Sequence, residues 1–500
     1  MNRALKRISI AIMAMFLLLL INVNYLQAFE TTSLSSRPEN LRAISEANQF
    51  ARGDIITADN VKIASTRPST SGDIYKYVRT YVNGPVYAPV TGYDTIYSTT
   101  GVEHAEDSLL SGSGSQLAFR NFIDMITNKP QKGATVQLTI NSKTQAAAYQ
   151  GLASILQGKG HIGGVVALNP STGAILAMAS YPSYDPNVLA THDGNALIKA
   201  DKALLRQSPS PLINNATQTT LPPGSTFKIV TSSAWFTQDA TRTPNSMVYS
   251  PQVLDLPQTT NKLHNDSNEI CGSAGANGQA PMLIAFSQSC DTTFGRLGMD
   301  LGGGALKSMA DKFGMDNPDM NIAGVTVAPS QYILPSSLPL TAFSAIGQYS
   351  DTVTPLQEAM FSAAIANNGT LMKPYLIQQV TASDLATVQQ TPTAVLSQPV
   401  SPAVAASMKQ MMIAVVQQPQ GTAFQFNANS EHGLVIAGKT GTAQNALNGV
   451  SSNPDAVFTA FAPADNPKIA VGVIVQGGGY GAAAAAPIAV AVIKAYLGIP

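Results

Sequence analysis

Charged residues are scarce in this chain. Lysine, arginine, aspartate and glutamate make up 12% of the 500 residues, about half the usual share, and 29 basic residues balance 29 acidic ones. A protein that binds nucleic acid needs a basic surface, so this balance argues against nucleic acid as a partner. The apolar share of 45% permits a large core, and the length predicts two or three globular domains.

Cysteine and histidine are also rare. There are two cysteines, Cys271 and Cys290, and five scattered histidines. They form none of the Cys/His spacings that are typical of metal sites, so we expect neither a metal nor another cofactor. An oxidising compartment would permit a disulfide between the two cysteines, and two buried free thiols are the alternative. The spacing alone leaves both open.

One apolar run is long enough to cross a membrane, and it lies at the N-terminus. Three basic residues precede an apolar stretch that ends near Phe29, and a span needs about 20 residues. Basic residues ahead of the run favour a cytoplasmic N-terminus. Residues 1–29 are therefore predicted to be a cytoplasmic tip and a single transmembrane anchor in the cell membrane, with the rest of the chain on the extracytoplasmic side. The alternative is a signal peptide cleaved after Ala28, although Leu26-Gln27-Ala28 matches a cleavage site poorly.

Two regions follow this anchor. Residues 73–100 alternate between apolar and polar side chains, which is typical of strands, and residues 116–127 and 142–157 have helical patterns. Gly158-Lys159-Gly160 interrupts the pattern. We therefore predict a smaller, strand-rich module at residues 30–160 and a main domain at residues 161–500.

The main domain begins and ends with predicted strands. A hairpin is expected at residues 163–180, and further strands at residues 434–443, 457–462 and 468–476. Helical patterns lie between them, and a last helix is expected at residues 487–497. Since strands from both ends enclose a helical middle, the pattern predicts an α/β (α+β) fold with one shared antiparallel sheet flanked by helices.

Three short motifs occur in order along the second half of the chain: Ser225-Thr226-Phe227-Lys228, Ser289-Cys290-Asp291 and Lys439-Thr440-Gly441. Taken singly, each has an ordinary reading as a helix start, a helix cap or turn, and a strand leading into a turn. Their order is typical of serine acyl-transfer enzymes that recognise penicillin.

The residue types in these motifs suit nucleophilic catalysis. A helix beginning at Ser225, after Pro222-Pro223-Gly224, would place Ser225 and Lys228 on one face. A serine hydroxyl needs a base to take its proton, and a lysine acts as one when burial or a nearby positive charge, such as Lys439, lowers its pKa. Gly441 would let an extended peptide approach the strand edge as an added strand.

Beyond the motifs, further segments resemble the class B penicillin-binding proteins, the peptidoglycan D,D-transpeptidases, and in particular the actinobacterial penicillin-binding protein A group. These segments are Tyr181–Asn187, Thr354–Gln357 and Ala364–Gly369. The resemblance covers nearly the whole chain. It implies that residues 30–160 form a non-catalytic, dimerisation-like module and that residues 161–500 form the transpeptidase domain. It implies a membrane enzyme that cross-links stem peptides ending in D-Ala-D-Ala and that β-lactams inhibit.

The resemblance also implies a role for each motif residue. The catalytic residues would be Ser225 as nucleophile, Lys228 as general base, Ser289 as proton relay and Lys439 as its support. Asp291, Thr440, Gly441 and Thr442 would bind substrate, with the backbone N–H groups of Ser225 and Thr442 as the oxyanion hole. Because the N-terminal module is too short and strand-rich for a polymerising domain, a membrane glycosyltransferase is the expected partner.

One departure and two alternatives accompany this reading. The family usually has asparagine where this chain has Asp291, and a carboxylate there would favour the charged forms of the lysines. A serine β-lactamase of class A needs a glutamate soon after the second motif, whereas the next glutamate here is Glu358. A non-catalytic scaffold of the wall-synthesis complex is the other alternative, and intact Ser225, Lys228 and Lys439 argue against it.

Overall fold

The computed structural model describes residues 3–26, 30, 50–70, 73, 75–117, 126, 132–266, 270–271, 278–427, 433–444, 446–447, 450–451 and 453–500. The predicted signal cleavage position and most of the predicted helix at residues 116–127 lie outside these residues. The first helix is Arg3–Tyr25. Its segment Lys6–Tyr25 has a mean hydropathy of 2.1 and packs against nothing else, so it is long and apolar enough to cross a membrane.

A six-stranded sheet forms the core of the N-terminal module. Ile55–Ile56 pairs in parallel with Thr135–Leu138, and the other neighbours are antiparallel. Two of the strands come from the second half of the chain, which the sequence did not predict. The order across the sheet is Thr387–Gln390, Ile377–Thr381, Thr135–Leu138, Ile55–Ile56, Lys62–Pro68 and Tyr77–Tyr81.

The prediction of strands across residues 73–100 was wrong for most of that segment. Among the described residues of that segment, the strand is Tyr77–Tyr81. Gly84–Thr91 is a helix that begins after Asn83, which has a left-handed conformation (φ 49°). Pro85 at the start of the helix is compatible with helical geometry. The helix buries Tyr87, Ala88 and Val90, so tertiary packing overrides the local alternation. The short helices Gly101–Ala105 and Asp107–Leu110 follow.

An ion-pair cluster joins these helices to the sheet. The carboxylate of Glu103 is fully buried and accepts hydrogen bonds from Arg52 Nε at 2.7 Å and Arg79 Nε at 2.6 Å. The hydroxyl of Tyr81 donates to the same carboxylate at 3.2 Å. A buried charge requires this degree of pairing, so removal of either arginine would leave a carboxylate without adequate compensation.

The main domain contains the predicted antiparallel sheet, and both ends of the chain contribute to it. The hairpin Gly163–Leu168 and Ile175–Tyr181 pairs with the C-terminal strands, which confirms the sheet expected from the sequence. The order across the sheet is Ala437–Ala443, Asp455–Ala462, Ile469–Val475, Gly163–Leu168 and Ile175–Tyr181. Every residue of Asp455–Ala462 and Ile469–Val475 is buried, so helices cover both faces.

One helix lies in the centre of the domain, and we call Pro355–Ala366 the central helix. All of its residues are buried, and it packs against the strand Ile469–Val475. A Cβ atom on Gly472 would lie 2.3 Å from the backbone nitrogen of Ala359, so only glycine permits this close approach. Ser142–Leu156 and Gly481–Leu497 cover the other side of the sheet.

The remaining described elements surround this core. The helices are Gly194–Leu205, Lys228–Gln238, Met282–Ser287, Asp291–Leu301, Gly303–Lys312, Leu338–Ser344 and Pro402–Gln417. The 3-10 turns are Ser115–Leu117, Pro186–Val188 and Gly224–Phe227. The two-stranded sheets are Met247–Tyr249 with Gln279–Pro281, Val253–Asp255 with Lys262–His264, Leu371–Met372 with Val395–Ser397, and Ala446–Leu447 with Val450–Ser451.

Candidate active site

Ser225 lies on a 3-10 turn, which we call the nucleophile turn (Gly224–Phe227), and the α-helix begins only at Lys228. The prediction of a helix starting at Ser225 was therefore wrong in its form. Three residues per turn still align Ser225 with Lys228. Gly224 has φ +55°, and a Cβ atom there would lie 2.9 Å from the carbonyl oxygen of Thr442. Glycine therefore lets the turn lie directly against the third motif.

The amino group of Lys228 joins the first two motifs. Its Nζ lies 2.9 Å from Ser225 Oγ, 3.0 Å from Ser289 Oγ, 2.7 Å from the Ser289 carbonyl oxygen and 2.5 Å from Asp291 Oδ1. An ammonium group has three hydrogens for these four oxygens. The four oxygens therefore cannot all accept a separate hydrogen from a charged Lys228. In its neutral form, Lys228 has a lone pair within reach of the Ser225 hydroxyl and can accept the hydrogen of that group.

The second motif lies between the helices Met282–Ser287 and Asp291–Leu301. Ser289 has φ 62°, a left-handed conformation that costs free energy for a residue with a side chain and is often found at functional sites. A disulfide joins Cys290 to Cys271, with 5.8 Å between their Cα atoms. The bridge and the helix start at Asp291 hold Ser289 in this conformation.

The third motif occupies Ala437–Ala443, an edge strand of the main sheet within the described residues. Lys439 Nζ donates to Ser289 Oγ at 2.8 Å and to the Thr440 carbonyl oxygen at 3.1 Å. A Cβ atom on Gly441 would lie 2.7 Å from the Pro223 carbonyl oxygen, so Gly441 acts by allowing the strand to pack against the nucleophile turn. The strand thereby completes a chain of contacts from Ser225 through Lys228 and Ser289 to Lys439.

The two lysines differ in their electrostatic surroundings. Both side chains are fully buried, and burial lowers the pKa of each. The carboxylate of Asp291 opposes this effect on the pKa of Lys228, whereas the pKa of Lys439 lies well below its usual range because burial and the charge of Lys228 act together. Burial therefore disfavours a positive charge on both lysines, and more strongly on Lys439 than on Lys228.

The motifs meet at the base of a cleft of about 1070 Å³. Ser225, Ser289, Asp291, Thr440 and Thr442 line it, whereas Lys228, Lys439 and Gly441 lie behind this surface. The structure thus brings together all of the site residues expected from the sequence. One wall is apolar and consists of Leu263, Ile270, Leu340, Phe343 and Ile346. In the described part of the chain, no group of three or more His, Cys, Asp or Glu side chains is arranged to hold a metal ion.

Several residues near the site were missed by the sequence analysis. The hydroxyl of Thr422 lies 2.6 Å from that of Thr440 and so orients it. Asp266 lines the cleft, and its charge acts on the pKa of Lys228 in the same direction as Asp291. Phe286 and Phe294 lie beneath the amino groups of the two lysines. None of these residues belongs to a recognisable motif, so only the folded chain identifies them.

The disulfide is expected to stabilise the second motif. Closing the loop between Cys271 and Cys290 contributes about 3 kcal/mol in the chain-entropy model. The double variant Cys271→Ala/Cys290→Ala should therefore lower the free energy of unfolding by about that amount and slow acylation, because Ser289 loses a constraint. Thiol counting on the denatured, non-reduced protein should give no free thiol, and two free thiols would contradict the bridge.

Comparison with known proteins agrees with this site. The family described as the penicillin binding protein transpeptidase domain matches residues 163–494, and the family described as the penicillin binding protein A dimerisation domain matches residues 52–136. The chain is 39% identical to the peptidoglycan D,D-transpeptidase PbpA of Mycolicibacterium smegmatis, with 99% of each chain covered. It is 38% identical to PbpA of Mycobacterium tuberculosis over the same shares.

Solved structures show the same likeness. The ceftriaxone acyl-enzyme complex of penicillin-binding protein A from M. tuberculosis has a TM-score of 0.82 at 36% identity, and the match covers 91% of this chain and all of that one. The penicillin G acyl-enzyme complex has a TM-score of 0.81 at 37% identity and covers 90% of this chain and all of that one. From the matched transpeptidase domain and these full-length relatives, the chain belongs to the penicillin-binding protein transpeptidase family.

Proposed function

We propose that this chain is a peptidoglycan D,D-transpeptidase that cross-links stem peptides ending in D-Ala-D-Ala and that β-lactams acylate. One observation carries the proposal. Ser225, Lys228, Ser289 and Lys439 form a continuous chain of polar contacts of 2.8–3.0 Å, and its nucleophile opens into a cleft beside an edge strand. A nucleophile, a base and a relay within hydrogen-bond reach are what acyl transfer needs.

Acylation begins when Lys228, in its neutral form, takes the proton of Ser225. Ser225 Oγ then bonds to the carbonyl carbon of the penultimate D-Ala, and the bond from that carbon to the terminal D-Ala nitrogen breaks. Ser289 connects Lys228 with Lys439, and a proton passed along this route reaches the leaving amine. Because burial and the charge of Lys228 disfavour a positive charge on Lys439, Lys439 supports this route as a hydrogen-bond donor to Ser289 and does not store the proton.

The other motif residues position the substrate. The backbone N–H groups of Ser225 and Thr442 stabilise the oxyanion, and the hydroxyls of Thr440 and Thr442 bind the terminal carboxylate. The edge strand accepts the extended stem peptide by main-chain hydrogen bonds. An amine of a second stem peptide then attacks the acyl-enzyme, the ester bond to Ser225 breaks, and Ser225 regains its proton from the attacking amine through the same relay.

A β-lactamase function is less well supported because, among the residues that the structure describes, no glutamate is placed to activate water. Among the described residues that line the cleft, the carboxylates are Asp266 and Asp291. Glu358 is fully buried on the central helix and hydrogen-bonds to Thr226 behind the nucleophile. A penicillin adduct on this enzyme should therefore persist rather than turn over.

The test is the reaction with both kinds of substrate. The detergent-solubilised full chain should release D-alanine from a synthetic stem peptide ending in D-Ala-D-Ala when an amine acceptor is present, and penicillin should block the release. Mass spectrometry of the intact protein should show one stable penicilloyl adduct per chain. Catalytic hydrolysis of penicillin without a lasting adduct would favour the lactamase alternative, and no reaction with either substrate would favour the scaffold.

Membrane topology is part of the proposal. The helix Arg3–Tyr25 is uncleaved, its N-terminus is cytoplasmic, and residues 30–160 and 161–500 act outside the membrane as a non-catalytic module and a transpeptidase domain. Three basic residues ahead of the apolar run support this orientation. Protease added to intact spheroplasts should digest the catalytic domain and spare an N-terminal tag. Digestion of the tag, or a mature chain that starts near Phe29, would contradict it.

A membrane glycosyltransferase partner completes the proposal. The N-terminal module is built around a sheet with short helices, and this architecture offers no separate polymerising domain among the described residues. Glycan polymerisation must then come from another protein in the same membrane. Crosslinking in membranes, followed by identification of the captured protein, tests this point, and capture of no polymerase would contradict it.

A further inference from the structure

A buried glutamate lies directly behind the nucleophile turn. Glu358 is fully inaccessible on the central helix, and its Oε1 lies 2.7 Å from the hydroxyl oxygen of Thr226. Thr226 is the neighbour of Ser225 in the chain and is itself fully buried. The other carboxyl oxygen, Oε2, has no hydrogen-bond partner and no access to solvent. An ionised carboxylate in such surroundings would be poorly compensated.

The hydrogens around Thr226 indicate where the proton lies. Thr226 Oγ1 contacts both Glu358 Oε1 and the carbonyl oxygen of Pro223, at 2.8 Å. A carbonyl oxygen can only accept, and a hydroxyl has one hydrogen to donate. If Glu358 were ionised, Thr226 could satisfy only one of its two contacts. If Glu358 is protonated, it donates to Thr226 and Thr226 donates to Pro223, so both contacts are hydrogen bonds.

Among the described residues, no positive charge forms an ion pair that would offset the burial of this carboxyl group. Glu358 is the one titratable residue of the central helix, whose sequence is PLQEAMFSAAIA. The elements packed against that helix contribute Asp455 and Lys409, and the adjoining motifs contribute Lys228 and Lys439. Among these described groups, none forms an ion pair with Glu358. Burial raises the pKa of Glu358 to about 8, which agrees with a neutral acid at pH 7.

We propose that Glu358 is a positioning residue of the transpeptidase: as a neutral carboxylic acid it donates to Thr226, and so fixes the nucleophile turn against the third motif. The contacts at the Pro223 end of this series of hydrogen bonds support the proposal. Pro223 carries the carbonyl that Thr226 binds, and the same carbonyl and the Thr226 methyl group would lie 2.7 and 3.1 Å from a Cβ atom on Gly441. The proton on Glu358 therefore fixes the spacing between Ser225 and the strand that holds substrate.

Ionisation of Glu358 reverses the direction of this hydrogen-bond chain. The Thr226 hydroxyl then turns toward the carboxylate, and the Pro223 carbonyl loses its donor. The acylation rate of the unsubstituted enzyme should consequently fall above about pH 8, by about tenfold per pH unit for one titrating group. We call this fall in the acylation rate the alkaline limb of the pH profile. A lysine base has the opposite effect, because its deprotonation raises the acylation rate as pH rises.

The isosteric variant Glu358→Gln separates a positioning role from a merely structural one. Its amide N–H₂ group can donate to Thr226 at every pH, so acylation by a fluorescent penicillin should stay close to the unsubstituted rate at pH 7 and should lose the alkaline limb. Glu358→Ala, which has no donor, should be slow at all pH values. Thr226→Val should also lose the alkaline limb. Valine has the same shape as threonine but lacks the hydroxyl that connects Glu358 to the Pro223 carbonyl.

Asp351 provides the matched control for this experiment. Burial raises the pKa of Asp351 to about 8 as well, and its carboxylate accepts a hydrogen bond from Ser344 rather than from a residue of the nucleophile turn. Asp351→Asn should keep the alkaline limb. If Asp351→Asn removes the limb, or if the profile of Glu358→Gln overlays that of the unsubstituted enzyme, the proposal is overturned.

A second readout does not depend on catalysis. Because the pKa of Glu358 is raised on folding from its ordinary value of 4.5, the stability it contributes is complete below about pH 4.5 and is lost as pH rises to about 8. Over that interval, the unfolding equilibrium constant of the unsubstituted protein should rise about tenfold per pH unit relative to Glu358→Gln. A difference in thermal midpoint that does not vary with pH would overturn the proposal.

These two readouts keep this proposal distinct from the proposed function, on which its catalytic consequence rests. If the full chain reacts with no penicillin at any pH, the function fails, and the stability difference still decides the protonation of Glu358. If acylation occurs and the pH profile is unaffected by Glu358→Gln, the function stands and the positioning role fails.

Discussion

Ser225→Ala should abolish covalent modification by penicillin and the release of D-alanine, while the fold stays intact. Ser225 Oγ lies 2.9 Å from the Lys228 amino group. Among the described hydroxyls that line the cleft, Ser225 alone lies on the nucleophile turn, next to both the base and the proposed oxyanion hole. Ser289 is in contact with both lysines, but it lies between them as a relay. The loss should therefore be complete within detection, since no acyl-enzyme can form without its nucleophile.

The measurement is intact-protein mass after exposure to penicillin, with a matched serine variant as control. Ser233 is buried on the helix that follows the nucleophile turn, and its hydroxyl has no hydrogen-bond partner. Ser233→Ala should label like the unsubstituted protein and thus control for loss of a serine in this region. An adduct of equal yield on folded Ser225→Ala would show that the nucleophile is another residue.

The order of the motifs and the terminal strands could be predicted from sequence because both are local patterns. Alternating and apolar segments identified the hairpin near residue 163 and the strands near the C-terminus, and the fold joins them in one sheet. The contact of Ser225 with Lys228 follows from a spacing of three residues. Lys439 comes to the same place because the third motif lies on a strand of that sheet, next to the nucleophile turn.

Other features depend on contacts between distant segments and carry no local signal. The strands Ile377–Thr381 and Thr387–Gln390 join the N-terminal sheet from more than 200 positions away, and their sequences do not indicate which sheet they extend. The helix Gly84–Thr91 forms where alternation suggested a strand. The contact between Glu358 and Thr226 spans 132 positions and has no local pattern. The sequence therefore identified Glu358 only as a glutamate too far from the second motif to serve a β-lactamase.

The structure shows which lysine the carboxylate of Asp291 contacts. The sequence suggested that a carboxylate in the second motif would hold the lysines in their charged forms. The structure places Asp291 Oδ1 2.5 Å from Lys228 and makes it the main influence that raises the pKa of that lysine against the effect of burial. A charged Lys228 cannot accept the proton of Ser225. Asp291 thus stabilises the resting site and opposes the form of Lys228 that reacts.

Asp291→Asn is therefore expected to speed acylation at neutral pH. The amide oxygen can still accept from Lys228, whereas the negative charge is gone, so the pKa of Lys228 falls further below its ordinary value. An adjacent opposite charge is worth about 1–3 pKa units, so the neutral fraction of Lys228, and with it the acylation rate, should rise roughly tenfold or more. The two rates should converge at high pH, where Lys228 is already neutral in both proteins.

The second-order rate of acylation by penicillin, measured from pH 5 to 10, checks this expectation. Asp266→Asn is the matched control, because Asp266 also lines the cleft and raises the pKa of Lys228, but as the smallest of the identified influences. Its profile should shift in the same direction by less. Slower acylation by Asp291→Asn, with its profile displaced to higher pH, would mean that the carboxylate orients Lys228 for catalysis. An unchanged profile would mean that Asp291 does not set the protonation of the base.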